Sequence, residues 1–281
     1  MRVRSLARRS FVNHLVMVIS AAVSAMFLFI LGWVLYEVVS RGGMALSWSF
    51  FTKLPTPPGI PGGGLANAII GTLMITVLAV IIGVPIGLLA GIYLAEFGGE
   101  SRFANVLRFT CNVLMGTPSI ITGMFVYALL VVPVQRFSGY AGAAALAILM
   151  LPVVTRTTED ILKLVPNTLR ESALALAAPM WKVTLEIVFR AGKSGLMTGV
   201  MLAVARISGE TAPLLFTALN SPYWPGWLEQ PTANLTVTIF NYAMSPYVDW
   251  QQKAWGASLL ITVSVLLLTV ITRFSLKDNR K

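Results

Sequence analysis

The sequence predicts an all-α polytopic membrane protein with six transmembrane helices and both termini on the cytoplasmic side. Three observations carry this expectation. Charged residues make up 11% of 281, against roughly 25% in a soluble domain, so they cannot cover a water-facing surface. Hydrophobic residues reach 56% and gather in runs long enough to cross a bilayer. The basic residues cluster at the ends of those runs, far more in one set of loops than in the other.

About 20 helical residues cross ~30 Å of hydrocarbon. The first run, Leu15–Tyr36, has no charge. Arg2, Arg4, Arg8 and Arg9 precede it as in a secretory signal, but it is longer than a signal core and no small-residue cleavage pattern follows. It is expected to be a retained helix. The second span lies within Ala66–Leu94 and the third within Phe109–Val134. The fourth is Phe137–Thr155, the fifth Ser194–Leu219 and the sixth Ala254–Thr272. A membrane β-barrel would alternate polar and apolar residues in ten-residue segments, which these runs do not.

With cytoplasmic termini, the Lys and Arg count is 16 inside and 4 outside, Arg206 falling within a span. The inside set comprises both ends, Arg102 with Arg108, and six residues between Arg156 and Lys193. That split follows the positive-inside rule.

A net charge of +10 would suit a nucleic-acid binder, but the basic residues flank apolar runs instead of forming a solvated face. The one cysteine, Cys111, excludes an intrachain disulfide and a cysteine metal cluster. The one histidine, His14, lies in the basic N-terminus and leaves no partner for a triad or a zinc site.

Two outside segments are long. Arg41–Leu65 holds a stiff proline stretch from Leu54 and then a flexible glycine run to Gly64, separating the first helix from the other five. Asn220–Lys253 carries Tyr223, Trp224, Trp227, Tyr242, Tyr247 and Trp250. These read either as an interfacial aromatic belt or as a docking surface for an external partner. Gly83, Pro85, Gly87 and Gly91 are expected to interrupt the second span, Gly116-Thr-Pro118 the third and Pro152 the fourth.

The Arg156–Lys193 loop is expected to pack against a partner. Thr168 and Glu171 have capping-box spacing, predicting a short helix from about Leu169 to Ala177, stopped before Pro179. Leu174, Leu176 and Trp181 give it an apolar face.

Arg170-Glu171-Ser172-Ala173, followed by Ala177 and Ile187, resembles the EAA loop of ABC-importer permeases. Ser172 stands for the first alanine of that motif, Ala177 for its glycine and Phe189-Arg190 for its Leu-Pro. Gly63-Gly64-Leu65-Ala66-Asn67, Ala90-Gly91-Ile92-Tyr93-Leu94-Ala95-Glu96 and Arg156-Thr-Thr-Glu159 are more specific. With Ala205-Arg206-Ile-Ser-Gly209-Glu210-Thr211-Ala-Pro213 and Thr238-Ile-Phe240, they resemble the phosphate-importing members from about Gly42 to Thr272.

The resemblance implies a type I permease fold in a bacterial inner membrane, without enzymatic activity or a cofactor of its own. It implies three kinds of partner: a second homologous permease, a dimeric ATPase carrying ATP and Mg, and a periplasmic phosphate-binding protein. Arg170, Glu171, Ala173 and Ala177 would then couple to the ATPase. Residues 1–64 are expected as N-terminus, first helix and outer segment, 65–275 as the permease domain and 276–281 as a tail. Independently, Gly192-Lys193-Ser194 copies the end of a P-loop, but Ile187 stands where its first glycine belongs and no strand precedes it. ATP hydrolysis is therefore expected on another chain.

Arg206 sits at the midpoint of the fifth run, ~18 Å beyond Ser194. Insertion scales put the cost there at about 2.5–3.5 kcal/mol, so it should face protein or water. Glu210 lies one turn on. Either the two form a self-neutralising structural pair, or Arg206 offers its planar fork to an oxyanion while Glu210 holds it between substrates. Arg156 reads as a second guanidinium on the route or as an ordinary positive anchor. Thr117 and Ser119, flanking Pro118, are further candidate donors. An Arg–Glu pair alone does not separate phosphate from another oxyanion. A stand-alone anion channel or carrier would need no docking loop, and a scaffold would need no buried arginine.

Overall fold

The computed structural model describes residues 6–275. Thirteen α-helical segments follow one another, and the β pairing among the described residues is one isolated bridge, Pro55 to Gly63. The basic residues Arg2, Arg4, Lys277, Arg280 and Lys281, and the 276–281 tail, lie outside the described residues.

Helix α1 (Leu6–Ala45) extends the first expected span at both ends. Its apolar side chains stay exposed over most of its length, and it meets the rest of the chain at its end, against α13 (Val248–Ser275). A Cβ on Gly42 would stand 2.6 Å from that of Leu259, and the Arg41 guanidinium lies 5.2 Å above the Trp255 ring. The short α2 (Trp48–Thr52) starts at Ser47, whose hydroxyl accepts from the Phe50 N–H.

The Pro/Gly stretch after α2 is not a flexible linker. Thr56 Oγ1 donates to the carbonyls of Ile60 and Gly62, both at 2.9 Å. Gly64 N–H donates to Leu54 O at 3.0 Å, and Lys253 of α13 donates to Gly62 O. Gly59, Gly62 and Gly63 take positive φ values, so the glycines supply the tight turns of an ordered loop.

Helix α3 (Ala66–Ile92) continues past Pro85 without a break and ends in a π turn, Tyr93–Phe97. Its small residues are not interruptions; they let α7 (Gly139–Lys163) approach. A Cβ on Gly87 would stand 2.8 Å from Val154 Cβ, and one on Gly91 2.6 Å from Thr155 O. Such small-residue stripes are how apolar helices gain contact when lipid offers no hydrophobic gradient. Pro152 likewise leaves α7 unbroken. The core lies along this seam, where Ile75, Ala79, Ala147 and Met150 meet Ala203 and Ile207.

The third expected span is a bent pair. Helix α4 (Arg102–Gly116) and the α5 segment (Ser119–Val126) meet at 106° across Thr117-Pro118. A π turn (Tyr127–Val131) and α6 (Val132–Val134) continue α5. The residue before a proline avoids the α region, and Thr117 takes ψ 131° there.

The long loop expected on the cytoplasmic side is shorter than the sequence implies, because α7 continues through Arg156 to Lys163. After it come α8 (Asn167–Ala175) and α9 (Met180–Lys182). A π turn (Val183–Val188) leads from α9 directly into α10 (Phe189–Ser208), giving one 29-residue helix. The fifth expected span therefore begins at Met180 and stops at Ser208. Pro213 explains the stop: within a continued helix it would lack an N–H and clash with the Gly209 carbonyl. Helix α11 (Ala212–Thr217) restarts with that proline in its first turn. Helix α12 (Leu235–Ala243), capped by Asn234, fills the expected outer loop.

Among the described residues five helices are long and apolar enough to cross a membrane, and the bent α4–α5 pair makes a sixth if it counts as one span. The chain is a multi-pass helical membrane protein.

Candidate functional site

Arg206 occupies the last turn of α10, not the middle of a helix. Its side chain is 53% exposed in the isolated chain, and Nε stands 4.0 Å from Glu210 Oε1, the outer limit of an ion pair. Glu210 lies beyond the helix end, where its carbonyl accepts from Thr236 Oγ1 at 2.9 Å. The expected i,i+4 pair on one helix is thus a loose contact across a break. An exposed pair at such distance contributes little to stability. The guanidinium keeps most of its donors free.

Thr117 and Ser119 flank the 106° bend between α4 and α5. Thr117 Oγ1 is already committed, donating to Val113 O at 2.8 Å, and Ser119 is half-buried. The bend rests on the α10–α11 break: a Cβ on Gly123 would stand 2.5 Å from Pro213 Cα. The two discontinuities that carry Thr117, Ser119, Arg206 and Glu210 therefore belong to one packed unit, α5 on α11.

Arg156 is not in that unit. Its neighbour Thr157 packs on Gly199 of α10, seven residues or ~10 Å along the axis from Arg206. Arg156 Nη1 donates to Glu159 Oε2 at 2.8 Å. Glu159 has no exposed side-chain surface, and it holds two more cations. Arg108 Nε reaches its Oε1 at 2.7 Å and Lys163 Nζ reaches the same oxygen at 2.6 Å. Three cations around one carboxylate leave two positive charges uncompensated within this cluster, and Asp160, beside Glu159 on α7, offsets one of them at the helix end. Arg108 also donates to Leu94 O at 3.0 Å and Gly99 O at 2.9 Å, tying α4 to the end of α3.

In the loop between α7 and α10, Pro166 and not Thr168 precedes α8, and no side chain caps it. The expected Thr168–Glu171 capping box does not form, because the helix begins two residues early and puts Thr168 inside its first turn. Arg170 and Ala173, three apart, face inward. Ala173 is buried with Val183, Val188 and Leu196. Arg170 Nη2 and Nε reach Glu96 Oε1 and Oε2 at 2.6 and 3.1 Å. Arg170 also donates to Val165 O at 2.6 Å and Leu162 O at 2.8 Å. The other side faces outward with Glu171, Leu174, Leu176 and Trp181, of which Leu176 is 84% exposed.

Helix α8 ends in a Schellman motif. Ala178 N–H donates to Ala173 O at 3.2 Å and Ala177 N–H to Leu174 O at 2.9 Å. Ala177 takes the left-handed conformation, φ 55°, which glycine adopts without strain.

Arg108, Glu159 and Glu96 were missed in the sequence. Glu159 with Arg156 and Lys163 at i−3 and i+4 was a readable helical signal. Arg108–Glu159 and Arg170–Glu96, 51 and 74 residues apart, were not. Among the described residues no cluster of His, Cys, Asp or Glu could hold a metal ion.

Residues 83–277 match the family described as binding-protein-dependent transport system inner membrane component. The chain is 49% identical over 261 residues to the phosphate transport system permease protein PstA of Yersinia pestis, covering 93% of this chain and 88% of that one. It is 51% identical over 253 residues to the protein of the same name from Haemophilus influenzae, covering 90% and 89%. The fold is similar to a chain of the inward-facing MetNI methionine ABC transporter, with TM-score 0.66 at 17% identity. That match covers 77% of this chain and 96% of the other. A chain from an amino acid ABC transporter gives TM-score 0.54, also at 17% identity, over 76% and 90%.

Proposed function

The chain belongs to the binding-protein-dependent transport system inner membrane components, and from that premise we propose how it works as the permease subunit of a phosphate ABC importer. It supplies half of a pathway completed by a second homologous permease in a bacterial inner membrane. A separate dimeric ATPase hydrolyses ATP with Mg, and a periplasmic phosphate-binding protein delivers the substrate. Both termini lie in the cytoplasm, with residues 65–275 as the permease domain.

Arg206 carries the mechanistic reading. A guanidinium more than half exposed at the end of an apolar helix does not belong against lipid. It fits a polar cavity shared with the second permease. There its fork meets phosphate oxygens, and Glu210, 4.0 Å away, takes the charge back as the ion leaves. Thr117, Ser119 and the surplus cations around Glu159 line later parts of the route. The outward face of α8, with Glu171, Leu174 and Leu176, seats in the ATPase, while Arg170 and Ala173 transmit its movement inward. Ala177 sets the end of that lever.

The test is uptake of labelled phosphate into proteoliposomes holding the assembled complex, with and without ATP, and with sulfate as competitor. ATP-dependent uptake, lost in Arg206→Gln and poor in Arg206→Lys while the complex stays assembled, is expected. Wild-type uptake by Arg206→Gln would reduce Arg206–Glu210 to a structural pair. Uptake without the ATPase would favour a channel.

A further inference from the structure

We propose that Thr236, in the first turn of α12, is a positioning residue for the Arg206–Glu210 pair: its hydroxyl holds the Glu210 carbonyl and so sets where the Glu210 carboxylate stands against the guanidinium. This rests on the importer reading above and adds to it the group that governs how Glu210 competes with phosphate.

The break between α10 and α11 leaves Glu210 with few holds. Its carboxylate stands 4.0 Å from Arg206 Nε and makes no hydrogen bond among the described residues. The place of that carboxylate therefore follows from the backbone that carries it. Glu210 N–H donates to Ile207 O at 3.2 Å, which keeps one side of the residue on the last turn of α10. On the other side, a continued turn would bring the N–H of residue 213 or 214 to the Glu210 carbonyl. Pro213 has no N–H, and Leu214 N–H donates to Thr211 O at 3.1 Å. Thr236 Oγ1 supplies the missing bond, donating to Glu210 O at 2.9 Å from 26 residues away.

Thr236 is itself held. It is buried, and its hydroxyl shares one proton between Glu210 O and Asn234 Oδ1, at 2.9 and 3.0 Å. Asn234 Oδ1 is fixed as an acceptor because Val237 N–H also donates to it, at 2.9 Å, in the cap of α12. Asn234 Nδ2 donates to Leu219 O at 3.3 Å, so the start of α12 grips the 210–219 segment at both ends. A buried polar network of this kind fixes one geometry more firmly than its bonds would singly.

The start of α12 is in turn seated on α3. Leu235 N–H donates to Thr72 Oγ1 at 2.8 Å, and a Cβ on Gly71 would collide with the Ala233 carbonyl. The two members of the pair thus have different supports. Arg206 rides on α10, whereas Glu210 is tied to α12 and α3 through one hydroxyl. An arginine and a carboxylate left to their own attraction close to about 2.7–2.9 Å. Held at 4.0 Å, Glu210 is near enough to draw the guanidinium back and too far to keep it from an oxyanion. An ion path that must release its substrate requires that balance.

Uptake of labelled phosphate is measured in proteoliposomes with saturating binding protein and expressed per assembled complex. Thr236→Val keeps the shape and removes the hydroxyl; Thr236→Ala removes it without crowding. Each is expected to lower the maximal rate about three- to tenfold, the range of one hydrogen bond, without raising the half-saturating phosphate concentration. Thr236→Ser, which keeps the hydroxyl, should transport close to the wild-type rate. In a Glu210→Gln background, Thr236→Val should add little further loss, because it acts through the carboxylate. Wild-type uptake by Thr236→Val and Thr236→Ala, the same fold loss in both backgrounds, or no recovery in Thr236→Ser would overturn the positioning role and leave Thr236 a contact of the fold only. No ATP-dependent uptake by the wild-type complex, or undiminished uptake by Glu210→Gln, would instead overturn the reading of the pair on which this inference rests.

Discussion

Arg170 on α8 grips Glu96, at the far end of α3, with two nitrogens on two oxygens, at 2.6 and 3.1 Å. Neither side chain is more than 14% exposed. Two parallel charge-assisted hydrogen bonds fix orientation as well as distance, so a tilt of α8 must be passed to α3. From α3 the motion has a direct route, because α3 packs along α7 for most of its length. In the function proposed above, Arg170 is the inward end of a coupling lever whose outward end is Glu171, Leu174 and Leu176.

Glu96→Gln keeps the shape but removes the charge that holds the fork. ATP hydrolysis by the assembled complex should persist while transport per ATP falls about tenfold, a coupling loss of ~1.4 kcal/mol. Arg170→Lys should resemble it, since a point charge cannot reproduce the two-pronged contact. Parallel phosphate-uptake and ATPase measurements in proteoliposomes decide the matter. An unchanged ratio in both variants would remove this pair from the coupling path.

Glu159 makes a second prediction because its carboxylate is fully buried among Arg108, Arg156 and Lys163. Removing one partner of a buried ionic cluster leaves uncompensated charge, at a cost of about 3–5 kcal/mol. Glu159→Gln should lower the thermal midpoint of the detergent-solubilised complex clearly. Lys163→Met should do much less, since half of the Lys163 side chain faces solvent. Equal effects from the two would show that burial of Glu159 is not what matters.

The helical membrane fold was legible because hydropathy acts over long windows. The errors were local. Gly83, Gly87 and Gly91 read as breaks because glycine does both jobs, and the α7 surface they face is not visible along one chain. The stop of α10 was legible in Gly209 and Pro213, yet the apolar residues on both sides of them read as one long run. Arg206 and Glu210 were found from their cost in a membrane. Glu96 carries no local signal: its role depends on Arg170, brought close only by the fold.

The cytoplasmic placement proposed for α8 is open to labelling. Cysteines at Ser172 and at Trp227, both exposed, are placed singly in a Cys111→Ala background. A membrane-impermeant maleimide added to intact cells should modify position 227 and spare 172 until the membrane is opened. The motive is the 16 to 4 distribution of basic residues. Modification of position 172 from outside would invert the topology and remove α8 from any cytoplasmic partner.

Ala177 makes a prediction in the opposite direction, a gain. It ends α8 at φ 55°, where the EAA loop it resembles has glycine. A left-handed conformation costs an L-residue about 1–2 kcal/mol. Glycine removes that cost but gives back roughly 0.5–1 kcal/mol, because its unfolded chain is freer. Ala177→Gly should therefore stabilise the α8 terminus by about 0.5–1 kcal/mol, seen as slower amide exchange at Ala177 and Ala178, whose N–H groups close the Schellman motif. Ala177→Val should act the other way, since a β-branched residue tolerates positive φ poorly. The alanine would open those amides less than valine and more than glycine. If all three exchange alike, the strain at position 177 is not borne by the α8 terminus, and the lever ends elsewhere.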